Sequence, residues 1–174
     1  LDGDTDTLGA VSFSDDGGGF DVTGLDSGAA VTLSSSGTIT QSVAGINATT
    51  LTLAGVGTYT LGTQNNDVAT LDVSGGLGGD LSFRDDDGFA MTGVAGGTHN
   101  VTLSTDGTVT QTGAITNTGT LTLLSNTGGG AFTLTQANNV TTLDGDTDTL
   151  GAVSFSDDGG GFDVTGLDSG AAVT

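Results

Sequence analysis

Short runs in which apolar residues alternate with Thr or Ser recur along the whole chain. Examples are AVTL, TYTL and VATLDV in the first half and LSF, NVTL and AFTL in the second. Each run is bounded by Gly, Asn, Asp or Ser. A period of two places successive side chains on opposite faces, as in a strand with one buried face. The pattern therefore predicts an all-β protein with no α-helix.

The chain repeats itself at long range. Residues 1–32 are identical to residues 143–174, so that Leu1 recurs as Leu143 and Thr32 as Thr174. Self-similarity at a fixed period is typical of solenoids and repeat arrays. We interpret the chain as one continuous solenoid segment, divided as follows: a tandem unit at 1–142 with half-repeats 1–70 and 71–142, and the start of the next identical unit at 143–174.

The two half-repeats are diverged copies of one another. VTLSSSGTITQ from Val31 matches VTLSTDGTVTQ from Val101. VATLD from Val68 matches VTTLD from Val140, at a slightly longer offset. The tandem unit therefore consists of two similar halves.

A finer spacing of twenty residues separates the strand-like runs through Val11, Val31, Leu51 and Leu71. A coil of roughly twenty residues is typical of a parallel β-helix, or β-solenoid, in which each turn of chain stacks on the last. Inward Val, Leu, Ile and Phe would form apolar ladders, and outward Thr and Ser would cover the sheets. The unit then holds about seven coils; six coils of about twenty-four residues are the alternative parse.

The corners between strands need residues that tolerate positive φ, which favours Gly and Asn. QNN ending at Asn66 and QANN ending at Asn139 are placed between strand-like runs. We therefore predict that these Asn residues lie at corners of the coils.

Composition narrows the possible partners. The 174 residues include 33 Gly and no Pro or Cys, and all 21 acidic residues are Asp. Arg84 is the only Lys or Arg, and the formal charge is −20. A polyanion repels phosphate backbones, so nucleic acid is not expected as a partner. The sequence has no apolar run long enough for membrane insertion.

High charge can indicate disorder, but the alternating β-branched residues favour a folded chain.

Three phrases carry a resemblance to a known family: TLSSSGTITQSVAGINATTLTL, NNDVATLD and LSFRDDDGFAMTGVAG. They resemble the repeat region of filamentous haemagglutinin-like exoproteins, large secreted adhesins of Gram-negative bacteria. The likeness covers nearly the whole chain and lies in recurrent short phrases, without an invariant motif. It implies a right-handed parallel β-helix that is secreted or displayed on the cell surface, often by a two-partner route. It also implies a stiff, self-continuing fibre, with surface glycans of host or neighbouring cells as partners.

Two acidic motifs are candidate calcium sites. DGDTDT at Asp2 recurs at Asp144, and the turns SDDGGGF and RDDDGF lie at equivalent places in the two halves. Crowded carboxylates repel one another, and a divalent cation or high salt relieves that repulsion. DGDTDT departs from an EF-hand loop, with Thr7 where Gly is needed and Phe13 where Glu is needed. The candidate ligands are Asp2, Asp4, Asp6, Asp15, Asp16, Asp85, Asp86, Asp87, Asp144, Asp146, Asp148, Asp157 and Asp158. The alternative is a set of solvated acidic turns, and no cofactor is required for folding.

Catalysis is not expected. Paired Asp residues could hydrolyse glycosidic bonds, as they do in some β-helical enzymes. Such sites also recruit basic groups, and this chain offers only Arg84 and His99. An identical site in every unit is unusual for an enzyme and natural for a shaft. If the chain is instead a binding module, we expect its ligand contacts in variable loops such as Gly97–Asn100.

Thr-x-Thr phrases suggest a different function, the ordering of water by an ice-binding face. They begin at Thr38, Thr50, Thr58, Thr108, Thr120 and Thr133. The steps between them along the chain are too uneven for one uninterrupted rank. The β-propensity of outward-facing Thr is the simpler explanation.

Overall fold

The chain forms a parallel β-solenoid of about eight turns with roughly 20 residues between successive strands, as seen in a computed structural model. The structure describes residues 1–145 and 149–174, without the side chains of residues 4–6. Within those residues there is no helix, so the all-β prediction is confirmed. The twenty-residue spacing also decides between the two parses in favour of seven coils per unit.

Two long parallel sheets run along the solenoid, and each coil contributes strands to both. The first sheet has eleven strands: β1 (Asp2–Leu8), β2 (Val11–Asp15), β4 (Gly24–Ser27), β5 (Ala30–Ser35), β7 (Ile46–Ala54), β9 (Asp67–Val73), β11 (Ala90–Ala95), β13 (Thr108–Gln111), β14 (Ile115–Thr116), β16 (Ala131–Asn138) and β18 (Val153–Asp157). The second has eight: β3 (Gly19–Val22), β6 (Thr38–Gln41), β8 (Thr58–Leu61), β10 (Leu81–Arg84), β12 (Val101–Ser104), β15 (Thr118–Leu124), β17 (Val140–Asp144) and β19 (Asp163–Thr165).

The core is a narrow apolar column between the two sheets. One inward ladder of the second sheet passes through Phe20, Ile39, Tyr59, Leu81, Val101, Leu121, Leu143 and Val164. On the first sheet Val31, Leu51, Leu71 and Met91 stack in the same way. Every member of these ladders from Val31 to Leu143 is buried. Burial therefore depends on the coils above and below as much as on the facing sheet.

Seven steps along the second-sheet ladder lead from Phe20 to Val164. The counterpart of Phe20 in the second copy is Phe162, which precedes Val164 by two positions. Over one unit, the ladder thus advances two residues further along the chain than the sequence repeat does. An even difference keeps inward residues inward, whereas a difference of one position would turn every apolar side chain outward.

Seven is an odd number of coils, so each half-repeat spans three and a half. Matching strands of the two halves consequently lie on opposite sheets. Val31 lies in β5 of the first sheet, whereas its counterpart Val101 lies in β12 of the second. Leu51 in β7 and Leu121 in β15 are related in the same way. The half-repeats are therefore related by a half-turn about the solenoid axis combined with a translation along it.

Candidate functional surfaces

The outer face of the second sheet carries a continuous rank of polar side chains. Directly hydrogen-bonded neighbours place one such residue in every coil: Asp21, Thr40, Thr60, Ser82, Thr102, Thr122, Asp144 and Thr165. Successive members are separated by one strand spacing of about 4.8 Å. Hydroxyl groups thus occupy most of the rank, with a carboxylate towards either end.

The Thr-x-Thr phrases are divided between the two sheets, so the six do not form one rank, as predicted, although the cause is the division between sheets and not the uneven spacing. Those beginning at Thr38, Thr58 and Thr120 lie in strands of the second sheet. Those beginning at Thr50, Thr108 and Thr133 lie in strands of the first sheet. Successive phrases alternate between the sheets because each coil contributes strands to both. On each face the spacing is set by coil stacking, which linear distance along the chain does not show.

A shallow groove of about 430 Å³ lies on this hydroxyl face and crosses β8, β10, β12 and β15. Asp80 and Asn100 line it, in the two coils between the phrases at Thr58 and Thr120. The Asp80 carboxylate accepts a hydrogen bond from the backbone amide of Asn100 at 2.9 Å. The Asn100 side-chain oxygen accepts one from the Thr120 amide at 3.0 Å. Each side chain therefore holds the next coil while forming part of the groove.

The acidic turns share one local structure. In each, two Phe rings that flank the turn meet edge to face, with ring centroids 4.7 to 5.0 Å apart. The pairs are Phe13 with Phe20, Phe83 with Phe89, and Phe155 with Phe162. Such pairs favour one turn geometry through the quadrupoles of the rings. The turn is thus a structural feature that both half-repeats share.

Asp85 lies at the centre of the turn in the second half-repeat and is only 1% exposed. Its carboxylate accepts hydrogen bonds from the amides of Val68 at 2.7 Å, Asp87 at 3.1 Å and Gly88 at 3.2 Å. Burial raises the pKa of Asp85 to about 6, and these three amide bonds oppose the shift. The residue therefore ties its own turn to the coil before it.

Asp15 and Asp157 occupy the position of Asp85 in the two identical copies. Asp15 accepts hydrogen bonds from the amides of Gly17 at 2.9 Å and Gly19 at 3.1 Å. Asp157 accepts one from the Gly159 amide at 3.2 Å. The first carboxylate of each predicted calcium turn thus accepts hydrogen bonds from backbone amides of its own turn.

Glycine closes these turns for a steric reason. Gly88 has a φ of +93°, and a Cβ there would lie 2.4 Å from the Thr108 amide nitrogen of the next coil. Gly19 has a φ of +97°, and its Cβ would lie 1.9 Å from the Thr38 carbonyl oxygen. A larger residue would therefore push two coils apart.

The remaining acidic residues of the turns point in separate directions. The Arg84 guanidinium donates two hydrogen bonds to Asp86, at 2.8 and 2.6 Å. Asp16, Asp87 and Asp158 are exposed. This single pair neutralises one carboxylate of the second half-repeat, a feature that the turns of the identical copies, with Ser in place of Arg, do not share.

The DGDTDT motif contributes two described carboxylates. Asp2 is exposed at the start of β1, and Asp144 ends β17 and accepts a hydrogen bond from Thr165 at 3.1 Å. The other predicted ligands of this motif lie outside the described residues or their described side chains: Asp4, Asp6, Asp146 and Asp148. Within the described part of the chain, no three potential metal-ligating side chains form a group that could hold an ion. Calcium binding stays a prediction.

Buried Gln–Asn clusters were not predicted from the sequence. Asn66 and Asn139 lie between strands, as predicted, but the positive φ expected there is wrong, because among the described non-glycine residues only Thr98 and Asn117 have positive φ. Asn66 is instead buried, and its Oδ1 accepts hydrogen bonds from Gln41 Nε2 at 2.6 Å and the Ile46 amide at 2.8 Å. The recurrence of Gln and Asn at similar places in the two halves was the available signal, although the two pairs are separated by 25 and 27 residues.

The second cluster repeats the central contacts of the first and adds a hydrogen bond from Asn138 Nδ2 to Gln111 Oε1 at 3.1 Å. Asn138 Oδ1 accepts hydrogen bonds from Gln111 Nε2 and the Ile115 amide, both at 2.9 Å. Its Nδ2 donates to the Ser156 carbonyl in the next coil at 2.9 Å, as Asn66 Nδ2 donates to the Arg84 carbonyl at 2.8 Å. The join between half-repeats and the join between units are therefore built alike.

Comparison with known proteins adds no family assignment. No protein-family model matches the chain, and no curated protein or solved structure matches it significantly. In the part of the chain that the structure describes, there is also no helix long and apolar enough to cross a membrane.

Proposed function

We propose that this chain is a structural segment of a long secreted or cell-surface fibre, in which 142-residue units continue head to tail as a stiff shaft. The resemblance to haemagglutinin-like adhesin repeats motivates the cellular setting. In this proposal the chain acts mechanically, through coil stacking, and not as an enzyme.

The observation that carries the proposal is the way in which the second copy stacks on the first unit. Residues 143–174 stack on the end of the first unit with the same ladders that join its internal coils, including Leu121 with Leu143 and Phe132 with Val153. A unit can therefore be followed by an identical unit with its apolar side chains still facing the core. With continuous backbone hydrogen bonding of this kind, each added coil lengthens a rigid rod.

Electron microscopy tests the proposal. We compare the 174-residue chain with a chain that carries one further 142-residue unit. Seven coils at the strand spacing add about 33 Å of rod length per unit. Straight rods that lengthen by this amount support a shaft, whereas flexible or globular particles of either chain contradict it.

Calcium enters this proposal as a relief of charge repulsion along the rod. The chain carries a net charge of −20, and its acidic turns recur in every half-repeat. The melting temperature, measured in calcium and in chelator at equal ionic strength, separates specific calcium binding from general screening by salt. A rise specific to calcium supports bound ions, whereas an equal rise in sodium chloride indicates screening alone.

A second candidate function, binding of an uncharged glycan, is favoured by the groove on the hydroxyl face. Hydroxyls, an amide and a carboxylate line it, which is the usual chemistry of sugar recognition. The matched face of the first sheet has Ala30 where the groove has Asn100. Binding to a neutral glycan array that Thr122→Val reduces, and that Thr52→Val on the opposite face leaves unchanged, supports this function. No binding to any glycan contradicts it.

A further inference from the structure

The groove on the hydroxyl face runs across the coils and not along one strand. It crosses β8, β10, β12 and β15, which are successive neighbours in the second sheet. These strands pair without a register shift along the inward ladder from Tyr59 to Leu121. A ligand that fills the groove therefore lies along the solenoid axis and meets an equivalent position at every strand spacing of about 4.8 Å.

The groove presents polar groups that are free to bind a ligand. Among the described residues, none forms a hydrogen bond with the Thr and Ser hydroxyls that line it. These hydroxyls belong to Thr58, Thr60, Ser82, Thr102, Thr120 and Thr122. Asp80 and Asn100 are exposed, and the bond that each side chain accepts leaves the second Asp80 oxygen and the Asn100 Nδ2 free. The lining therefore offers hydrogen-bond donors and acceptors in every coil that it crosses.

Threonine adds a second kind of contact to the groove. Thr60, Thr102 and Thr122 belong to one rank, and each carries a methyl group beside its hydroxyl. Sugar rings combine C–H faces with hydroxyl edges in the same way. An extended β-linked chain of sugars advances by about one strand spacing per ring, whereas an α-1,4-linked chain curls. The period of the groove therefore fits an extended chain.

Charge narrows the class of sugar. Asp80 is the only charged residue among the described residues that line the groove, and the whole chain carries a net charge of −20. A field of this sign repels glycans that carry carboxylate or sulfate groups. Because the lining has no cation to pair with such groups, an uncharged glycan is favoured.

The outer face of the first sheet differs and supplies a control surface. Ala90 stands in its outward rank between Thr70 and Thr110. The pairing of β9 with β11 also shifts in register between Met91 and Gly93. An evenly spaced row of hydroxyls is therefore interrupted on this face.

We propose that the groove binds an unbranched, uncharged, β-linked polysaccharide, with its chain parallel to the solenoid axis and one sugar ring over each coil. This inference rests on glycan binding, the second candidate function above, and adds the class of glycan and the direction of its chain. Four strands correspond to about four rings. Each hydrogen bond to a sugar replaces one to water and gains little, so affinity depends on the number of coils that are occupied.

Calorimetric titration of the 174-residue chain with two series of uncharged oligosaccharides tests the proposal. One series is β-1,4-linked glucose, from the disaccharide to the hexasaccharide, and the other is α-1,4-linked glucose of the same lengths. We expect the affinity for the β-linked series to rise about threefold per ring up to the tetrasaccharide and then to level off. The α-linked chains should bind at least about tenfold more weakly.

Matched variants test the direction of the bound chain. Thr60→Val and Thr122→Val each remove one hydroxyl from an outer coil of the groove and keep the shape of the side chain. Each should move the length at which affinity levels off from the tetrasaccharide to the trisaccharide. Thr52→Val and Thr70→Val make the same change on the first sheet and should leave every affinity unchanged. A response to only one of the two groove variants would overturn the axial direction.

The outcomes separate this inference from the function on which it rests. If glycans bind with an affinity that depends on neither length nor linkage, the glycan-binding function stands and the axial, linear chain is wrong. If neither series binds, this inference is also wrong. Glycan binding itself fails only if the neutral glycan array is blank as well.

Discussion

Residues 1–32 and 143–174 share one sequence and differ in exposure. Val22 and Val31 are fully buried, whereas their counterparts Val164 and Val173 are 56% and 53% exposed. Each copy stands at a different end of the described solenoid and lacks the adjacent coil on one side. The alternation of apolar and polar residues thus decides which side chains point inward, and the neighbouring coil decides whether they are buried.

The largest expected difference between the copies follows from a charge placed in the core. Val22→Asp puts a carboxylate among fully buried apolar side chains, at a cost of about 4 kcal/mol in the free energy of unfolding. Val164→Asp places the same carboxylate at an exposed position and should cost less than about 0.5 kcal/mol. Urea unfolding of both variants measures the difference. Equal losses would contradict burial by the adjacent coil.

The two Gln–Asn clusters extend the comparison to the half-repeats. Asn66→Ala leaves the Gln41 side chain and the Ile46 amide without their buried acceptor, at a cost of about 3 kcal/mol. Asn138→Ala breaks the matching bonds in the second half and one further bond to Gln111 Oε1, so it should cost at least as much. Thermal unfolding of both variants tests this comparison. A loss at one site only would show that the halves are stabilised differently.

At the other end of the solenoid the order of the two copies reverses. Val153→Ala removes methyl groups from a buried position and should cost about 2 kcal/mol at low protein concentration. Val11→Ala makes the same change at a position that is only partly buried, and its cost should be about half as large. Chemical unfolding again provides the measurement. A larger loss at Val11 would contradict the account.

The smallest expected effect is the contribution of Asp85 to the pH dependence of the free energy of unfolding. The pKa of Asp85 sets the sign of this contribution. The folded carboxyl keeps its proton up to about pH 6, whereas an ordinary Asp loses it near 3.8. The folded state therefore binds more protons between these values, and the free energy of unfolding falls as pH rises from about 4 to 6. We expect a fall on the order of 1 kcal/mol, because the exposed turn beside Asp85 keeps the local dielectric high.

The measurement is thermal unfolding from pH 3.5 to 7, and Asp85→Asn should flatten the decline. Asp106→Asn is the control with opposite sign. Partial burial opposes ionisation of Asp106, but hydrogen bonds from Thr127, Ser125 and Asn126 outweigh it and lower the pKa of this carboxyl. Its contribution is present above about pH 4 and lost as pH falls, so this variant should steepen the decline. No change of slope in Asp85→Asn would contradict the assignment.

The repeat hierarchy and the strand period were predictable because both are periodic. Val31, Leu51 and Leu71 are spaced by one coil in the sequence and are hydrogen-bonded neighbours in the sheet. The exchange of sheets between half-repeats follows from an odd number of coils and is not visible as a period in the sequence. The Thr-x-Thr phrases at Thr38 and Thr50 lie on different sheets, which their distance along the chain does not show.

The candidate sites were less predictable, for physical reasons. Asp85 and Asp86 are adjacent in the sequence, yet one is buried under backbone amides and the other pairs with Arg84. Composition alone does not separate a carboxylate that stabilises a turn from one that could bind an ion. The buried role of Asn66 depends on Gln41, twenty-five residues away. Only the closure of the coil brings these side chains together.

The rod length per unit tests the central claim most directly. Electron microscopy of the 174-residue chain and of the chain with one further unit gives this length from the difference between the two. The account predicts straight rods and an increment of about 33 Å, which is seven strand spacings. An increment near six spacings, or particles that thicken without lengthening, would contradict the stacking of identical units.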